Sequence, residues 1–82
     1  MQQLSLSRTT PAVEMNDSIQ LNSQAHAVPC PLSVGALLAS LGLEGKPVVV
    51  ELDEQAVFPR DYASVEVRSG SKVEVVTLAA GG

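Results

Sequence analysis

Apolar and polar residues alternate in short runs along most of the chain, and one stretch breaks that rhythm with a helical period. Ile19-Gln20-Leu21 alternates as a half-buried strand does. Asn22-Ser23-Gln24 is a polar turn with Asn at a favourable site, and Ala25-His26-Ala27-Val28 resumes the alternation. The two runs predict a hairpin. Pro29 and Pro31 flank Cys30 and end the second strand, because proline has no amide to continue a ladder. Val34, Leu37, Leu38 and Leu41 then recur at the spacing of one helix face. Ser33 is placed to cap that helix and Gly42 to stop it, while Gly35 near its start weakens it slightly.

Beyond the helix, Leu43 to Pro47 reads as a connection broken by Gly45 and Pro47. Val48-Val49-Val50-Glu51-Leu52 is β-branched and mostly apolar, the composition of a central strand. Asp53-Glu54-Gln55 is a polar turn, Ala56-Val57-Phe58 a short strand ended by Pro59, and Arg60 to Ala63 a single helical turn. Val65-Glu66-Val67 alternates again, Ser69-Gly70-Ser71 turns the chain, and residues 72–78 form a last strand. The expected fold is therefore α+β, a mixed sheet of four or five strands packed on one main helix. The helix is too short to persist alone, so its leucines must bury against the sheet, each contributing roughly 1.5–3 kcal/mol.

Residues 1–18 hold no sustained period and are rich in Ser, Thr, Gln and Asn, so they are expected to form a flexible tail. The domain is expected over 19–78, with 79–82 as a second flexible tail. Met15, just ahead of the first strand, is a second candidate start.

Composition narrows the chemistry. At 82 residues with 45% apolar content, the chain suits one small domain with an aliphatic core. The net charge of -4 and the scattered basic residues argue against a nucleic-acid backbone as partner. An acidic surface suits a partner with a basic docking face. A lone cysteine forms no internal disulfide, which fits a reducing compartment. No run of about 18 apolar residues and no basic-then-apolar leader is present, so a cytoplasmic location is expected.

The most informative stretch is the end, Leu78-Ala79-Ala80-Gly81-Gly82. Two glycines have no Cβ and thread a slot too narrow for other residues. They also cost the most entropy to order, so a partner is expected to hold them. The one reactive group is the Gly82 α-carboxylate, ionised at neutral pH and a poor electrophile until activated as an acyl adenylate.

The other chemistry-bearing residues have plain structural readings. Cys30 has no Lys, Arg or second Cys close in sequence to activate it, so it reads as a packed or half-exposed residue. His26, the single histidine, reads as an exposed strand residue, and no spacing supports a metal site. Asp53, Glu54 and Asp61 read as solvated turn carboxylates, and Arg60 as a surface charge or a partner contact. If Val73 and Val75 face the core, Val76 and Leu78 cannot both share that face, so an apolar residue is left exposed beside the tail. Phe58, Arg60, Val76 and Leu78 are the candidate partner contacts.

The pattern from residue 19 to 82 resembles the ThiS family, the sulfur carriers of thiamine thiazole biosynthesis. The residues that carry the resemblance are Ile19-Gln20-Leu21-Asn22, the run Ser33 to Gly42, Val49-Glu51-Leu52 with Ala56-Val57-Phe58-Pro59-Arg60, Tyr62-Ala63, Gly70 to Val76, and the terminal Gly81-Gly82. The chain departs from the family where Ser23 replaces the usual glycine of the first turn and Ser71 the usual Asp. The resemblance implies a β-grasp, ubiquitin-like fold and a protein that is a co-substrate, with no catalytic side chain and no bound cofactor or metal. A ThiF-like adenylating enzyme would use ATP and Mg²⁺ to activate Gly82. A sulfur donor fed by a cysteine desulfurase would then make a thiocarboxylate, with Ala80 and Gly81 as the threading tail. A ThiG-like thiazole synthase would take the sulfur. Two alternatives share the terminal chemistry or the fold: a small subunit of molybdopterin synthase, and a ubiquitin-like modifier or interaction module.

Overall fold

The computed structural model describes residues 17–78. Most of the expected N-terminal tail and all of Ala79-Ala80-Gly81-Gly82 lie outside the described residues. The elements run β1 (Ser18–Leu21), β2 (Gln24–Ala27), β3 (Leu32–Ser33), α1 (Val34–Ser40), β4 (Val48–Leu52), β5 (Gln55–Val57), a 3₁₀ turn (Pro59–Asp61), β6 (Glu66–Val67) and β7 (Lys72–Thr77).

Five strands form one mixed sheet in the order β2-β1-β7-β4-β5. The first and last strands, β1 and β7, run parallel at its middle, while the other pairs are antiparallel. The expected architecture stands, with two changes. Val48–Leu52 is an interior strand as read, but the centre belongs to β7. Glu66–Val67 is not part of the main sheet; it pairs with Leu32–Ser33 in a two-stranded ladder of its own. That small ladder abuts the start of α1, so the chain on both sides of the helix entrance is pinned.

The helix forms where its caps direct. Ser33 is extended, and its hydroxyl accepts from the Ala36 amide at 2.9 Å. The amides of Val34 and Gly35, which a helix leaves without partners, donate to the carbonyls of Val65 and Tyr62. At the other end Leu43 N donates to Leu38 O and Gly42 N to Ala39 O, with Gly42 left-handed at φ +76°. This is a Schellman stop, and glycine there avoids a Cβ clash. Val34, Leu37 and Leu38 are fully buried against Ile19, Val50, Val67, Val73 and Val75, whereas Leu41, at the cap, is only half-buried.

Two hairpin turns grip β7. Asn22 and Ser23 are both left-handed, at φ 50° and 71°, as are Asp53 and Glu54, at φ 49° and 70°. Such paired positive φ angles match the twist of the flanking strands. Asn22 then uses its carboxamide as a strand residue would use its backbone: Oδ1 accepts from Val75 N at 2.8 Å and Nδ2 donates to Val75 O at 3.1 Å. Asp53 does the same at the start of β7, its N donating to Lys72 O at 2.7 Å and its Oδ1 accepting from Lys72 N at 2.9 Å.

Asn22→Ala removes both bonds to Val75 and should destabilise the domain by about 1–3 kcal/mol in urea unfolding. Ser23→Gly relieves the left-handed strain and should stabilise it by up to about 1 kcal/mol, the relief being partly offset by glycine's entropy.

Candidate functional site

β7 alternates Lys-Val-Glu-Val-Val-Thr, so its side chains divide between the two faces of the sheet. Val73 and Val75 enter the core. Lys72, Glu74 and Val76 point to the face opposite the helix, and Leu78 keeps their parity two residues beyond. On β4 the same alternation buries Val50, half-buries Val48 and Leu52, and leaves Val49 and Glu51 outward. Val49 lies directly opposite Val76 in the ladder. Phe58 follows Val57, which is opposite Val50, so by register it extends the row past Val49.

The outcome is an apolar row on the outer face. Val49, Phe58, Val76 and Leu78 are 47%, 52%, 56% and 51% exposed, and they are the large apolar residues left in solvent among those described. Apolar residues scattered singly over a surface need no explanation, but a row across neighbouring strands makes a candidate docking surface. The guanidinium of Arg60 sits 5.2 Å from the centroid of the Phe58 ring, a cation–π contact that braces the aromatic edge of the row. Below the row the same face carries Glu51, Glu54 and Glu74 around a single Lys72, which pairs with Glu54 at 3.2 Å.

Of the expected contacts, Val76 and Leu78 are both exposed, where the sequence reading required at least one to be, and Phe58 and Arg60 lie at the far end of the row. Val49 was not among them. Its parity with Glu51, which is charged and therefore outward, was the signal available, and the β-branched run concealed it. Gly82, Gly81 and Ala80 lie outside the described residues. The row is continuous with them in sequence, because Leu78 N still donates to Pro47 O at 2.9 Å, one step past the end of β7.

The remaining candidates have structural duties. Asp53 and Glu54 hold β7, and Asp61 lies 4.0 Å from the Arg60 guanidinium. His26 is half-buried opposite Ile19 on the edge strand, not exposed as the sequence reading had it. No group of His, Cys, Asp and Glu among the described residues is arranged to hold a metal ion. No helix among them is long and apolar enough to cross a membrane.

Cys30 is partly buried; its amide donates to Asp17 Oδ2 at 3.1 Å and its thiol to Val28 O at 3.4 Å. Burial pushes the thiol above the usual cysteine range, and the Asp17 carboxylate adds to the shift.

One helix on a mixed five-stranded sheet, with the first and last strands parallel at its centre, defines a β-grasp protein. The model of the ThiS family matches residues 9–82, and the chain belongs to that family. Its fold is similar to the crystal structure of a thiamine biosynthesis protein (ThiS) from Geobacter metallireducens, with a TM-score of 0.68 and 25% identity, covering 79% of this chain and 99% of that one. A thiazole synthase of Paramagnetospirillum magneticum is 34% identical over 62 residues, which cover 76% of this chain. The match spans 19% of that longer protein. The uncharacterized protein ycf40 of Porphyra purpurea is 29% identical over 70 residues, covering 85% of this chain and 99% of that one.

The raised thiol sets one expectation. Alkylation of Cys30 followed against pH should show a midpoint above that of free cysteine, about 8.5. A midpoint at or below that value would mean an activated thiolate.

Proposed function

We propose that this chain is a sulfur carrier for thiazole formation in thiamine biosynthesis, with Gly82 as the loaded residue. The observation that carries the reading is positional. The centre strand of the sheet carries Val76 of the exposed apolar row, and in sequence it is followed by Leu78 and then by Gly81-Gly82. In this reading the folded body offers a docking surface next in sequence to the residue that is loaded. Membership of the ThiS family supports the role. The likeness of this chain to part of a thiazole synthase supports thiazole over molybdopterin formation.

In this reading the chemistry on the chain is confined to one carboxyl group. A carboxylate oxygen of Gly82 attacks the α-phosphorus of ATP, with Mg²⁺ held by the adenylating partner, and pyrophosphate leaves. The acyl adenylate is then attacked at carbon by hydrosulfide, or by a donor persulfide whose S–S bond a second thiol then reduces, and AMP leaves with the oxygen it gained. The product is a thiocarboxylate whose sulfur passes to the thiazole synthase. The carrier supplies no acid, base or nucleophilic side chain. Its contribution is tethering: a sulfur bound to a short arm is delivered without diffusing as sulfide, and the arm reaches one active site after another.

Intact-mass spectrometry tests the loading step. Incubation with the adenylating enzyme, ATP, Mg²⁺ and a sulfur source should replace one oxygen by sulfur at Gly82. Cys30→Ser should load as well as the parent chain, and deletion of Gly82 should abolish loading. Absence of the exchange with active partner enzymes, or its loss in Cys30→Ser, would overturn the reading.

A second expectation concerns docking. Phe58→Asp and Val76→Asp should each weaken binding to the adenylating enzyme about tenfold or more, a loss of about 1.4 kcal/mol or greater. Both side chains are exposed, so unfolding free energies should stay within about 0.5 kcal/mol of the parent. Titration calorimetry and urea unfolding on the same variants separate the two effects.

A further inference from the structure

A groove of about 690 Å³ lies between α1, the 43–48 connection and the segment from Pro59 to Ala63. Val49, Phe58, Val76 and Leu78 are not among the residues that line it. Its size falls within the ordinary range of ligand clefts, about 300–1,000 Å³. The backbone builds its walls. Gly35 N donates to Tyr62 O at 2.9 Å, and a Cβ on Gly35 would meet that oxygen at 3.4 Å, so glycine seats the 59–63 segment against the helix. Leu43 N donates to Leu38 O at 2.8 Å and Lys46 N to Leu43 O at 3.0 Å, which ties the connection to the end of α1. Leu38, Leu43, Val48, Pro59 and Tyr62 give the cleft between these walls an apolar lining.

Charge indicates what kind of ligand suits it. The chain carries a net charge of -4, yet the charged residues lining this groove are two cations, Lys46 and Arg60, and one carboxylate, Glu44. The other cations among the described residues are engaged elsewhere, Arg68 with Glu66 at 3.1 Å and Lys72 with Glu54 at 3.2 Å. Lys46 forms no ion pair among the described residues. Arg60 reaches Asp61 only at 4.0 Å, and its side chain is 78% exposed. The two cations that the fold leaves open therefore both stand on this groove.

We propose that the groove is a binding site for a small organic oxyanion, a phosphate monoester or a carboxylate that carries an apolar or aromatic body. The body lies against Leu38, Leu43, Val48 and Pro59, where it leaves water. The head group meets the Lys46 ammonium and the Arg60 guanidinium, whose fork of N–H donors matches two oxygens of an oxyanion. Glu44 subtracts from that attraction, so the head group alone is held weakly and the body supplies the rest. The site is distinct from the docking row, and the proposal does not rest on the carrier reading.

Amide NMR of the full chain, titrated separately with naphthyl phosphate, naphthoate, naphthol and inorganic phosphate, tests it. The two naphthyl anions should give saturable shifts at Ala36, Ala39, Lys46 and Tyr62, and the tighter of them names the head group. Naphthol keeps the body without the charge, and inorganic phosphate keeps the charge without the body; each should bind about tenfold more weakly or worse. The double variant Lys46→Gln with Arg60→Gln should weaken the naphthyl anions about tenfold or more. Both side chains are exposed, so urea unfolding of that variant should match the parent. Naphthol binding as tightly as the anions would overturn the proposal, since apolar surface alone would then account for the site. Undiminished affinity in the double variant, or shifts centred on Val49, Phe58 and Val76, would overturn it too. No sulfur and no partner enzyme enter the experiment, so its failure leaves the carrier reading standing, and failed loading leaves this site standing.

Discussion

The domain depends on the pairing of its last strand. β7 is held in parallel by β1 and antiparallel by β4, and its valines at 73 and 75 sit under the helix. Parallel pairing of the two chain ends is entropically the most distant contact the fold makes, so something must secure it. Asn22 and Asp53 do so from opposite sides, each lending a side chain to the backbone of β7. These bonds leave no ladder position at Lys72 or Val75 unsatisfied where the neighbouring strands have already turned. A strand fixed in this way is a firm base for whatever follows it in sequence.

That firmness explains why a domain this small can work as a carrier. The core is almost wholly aliphatic, nine buried residues drawn from Ile, Leu and Val, with no buried polar or charged side chain among the described residues. Such a core offers no chemistry, and none is needed if reactivity is confined to a carboxyl terminus. The surface can then be given over to recognition. The surface valines of β4 and β7, with phenylalanine and leucine at the ends of the row, form a short row flanked by glutamates, which limits the apolar patch.

Much of this was legible in the chain. The helix announced itself through Ser33, the apolar spacing and Gly42, and each of these has the contact expected of it. Parity alone showed that at least one of Val76 and Leu78 is exposed, and both are. What stayed hidden depended on distant partners. Asn22 reads as an ordinary turn former, and nothing local says that its carboxamide reaches Val75, 53 residues on. Leu32–Ser33 and Glu66–Val67 are two residues each, too short to carry a period, and become strands only because the fold brings them together. Val49 was obscured for a related reason: in an unbroken β-branched run, hydrophobicity stops reporting which side faces the core, and only the charged neighbour Glu51 breaks the tie.

The distribution of charge bears on the order of events at such a carrier. A surface with one sign throughout would attract every partner, and the terminus, in the same way. Here the two sides differ: Glu51, Glu54 and Glu74 surround Lys72 on the outer face, while the groove beside α1 is lined by Glu44, Lys46 and Arg60, with Arg60 also lying over Phe58. On the carrier reading proposed above, a partner with a basic rim would be steered to the outer face, where it would meet the apolar row. Such a partner would recognise the folded body before it handled the carboxylate. Specificity would then be set by the sheet, and Gly81-Gly82 could be as small and featureless as a narrow catalytic channel demands. Two glycines would suffice there because the strands that precede them had already made the selection.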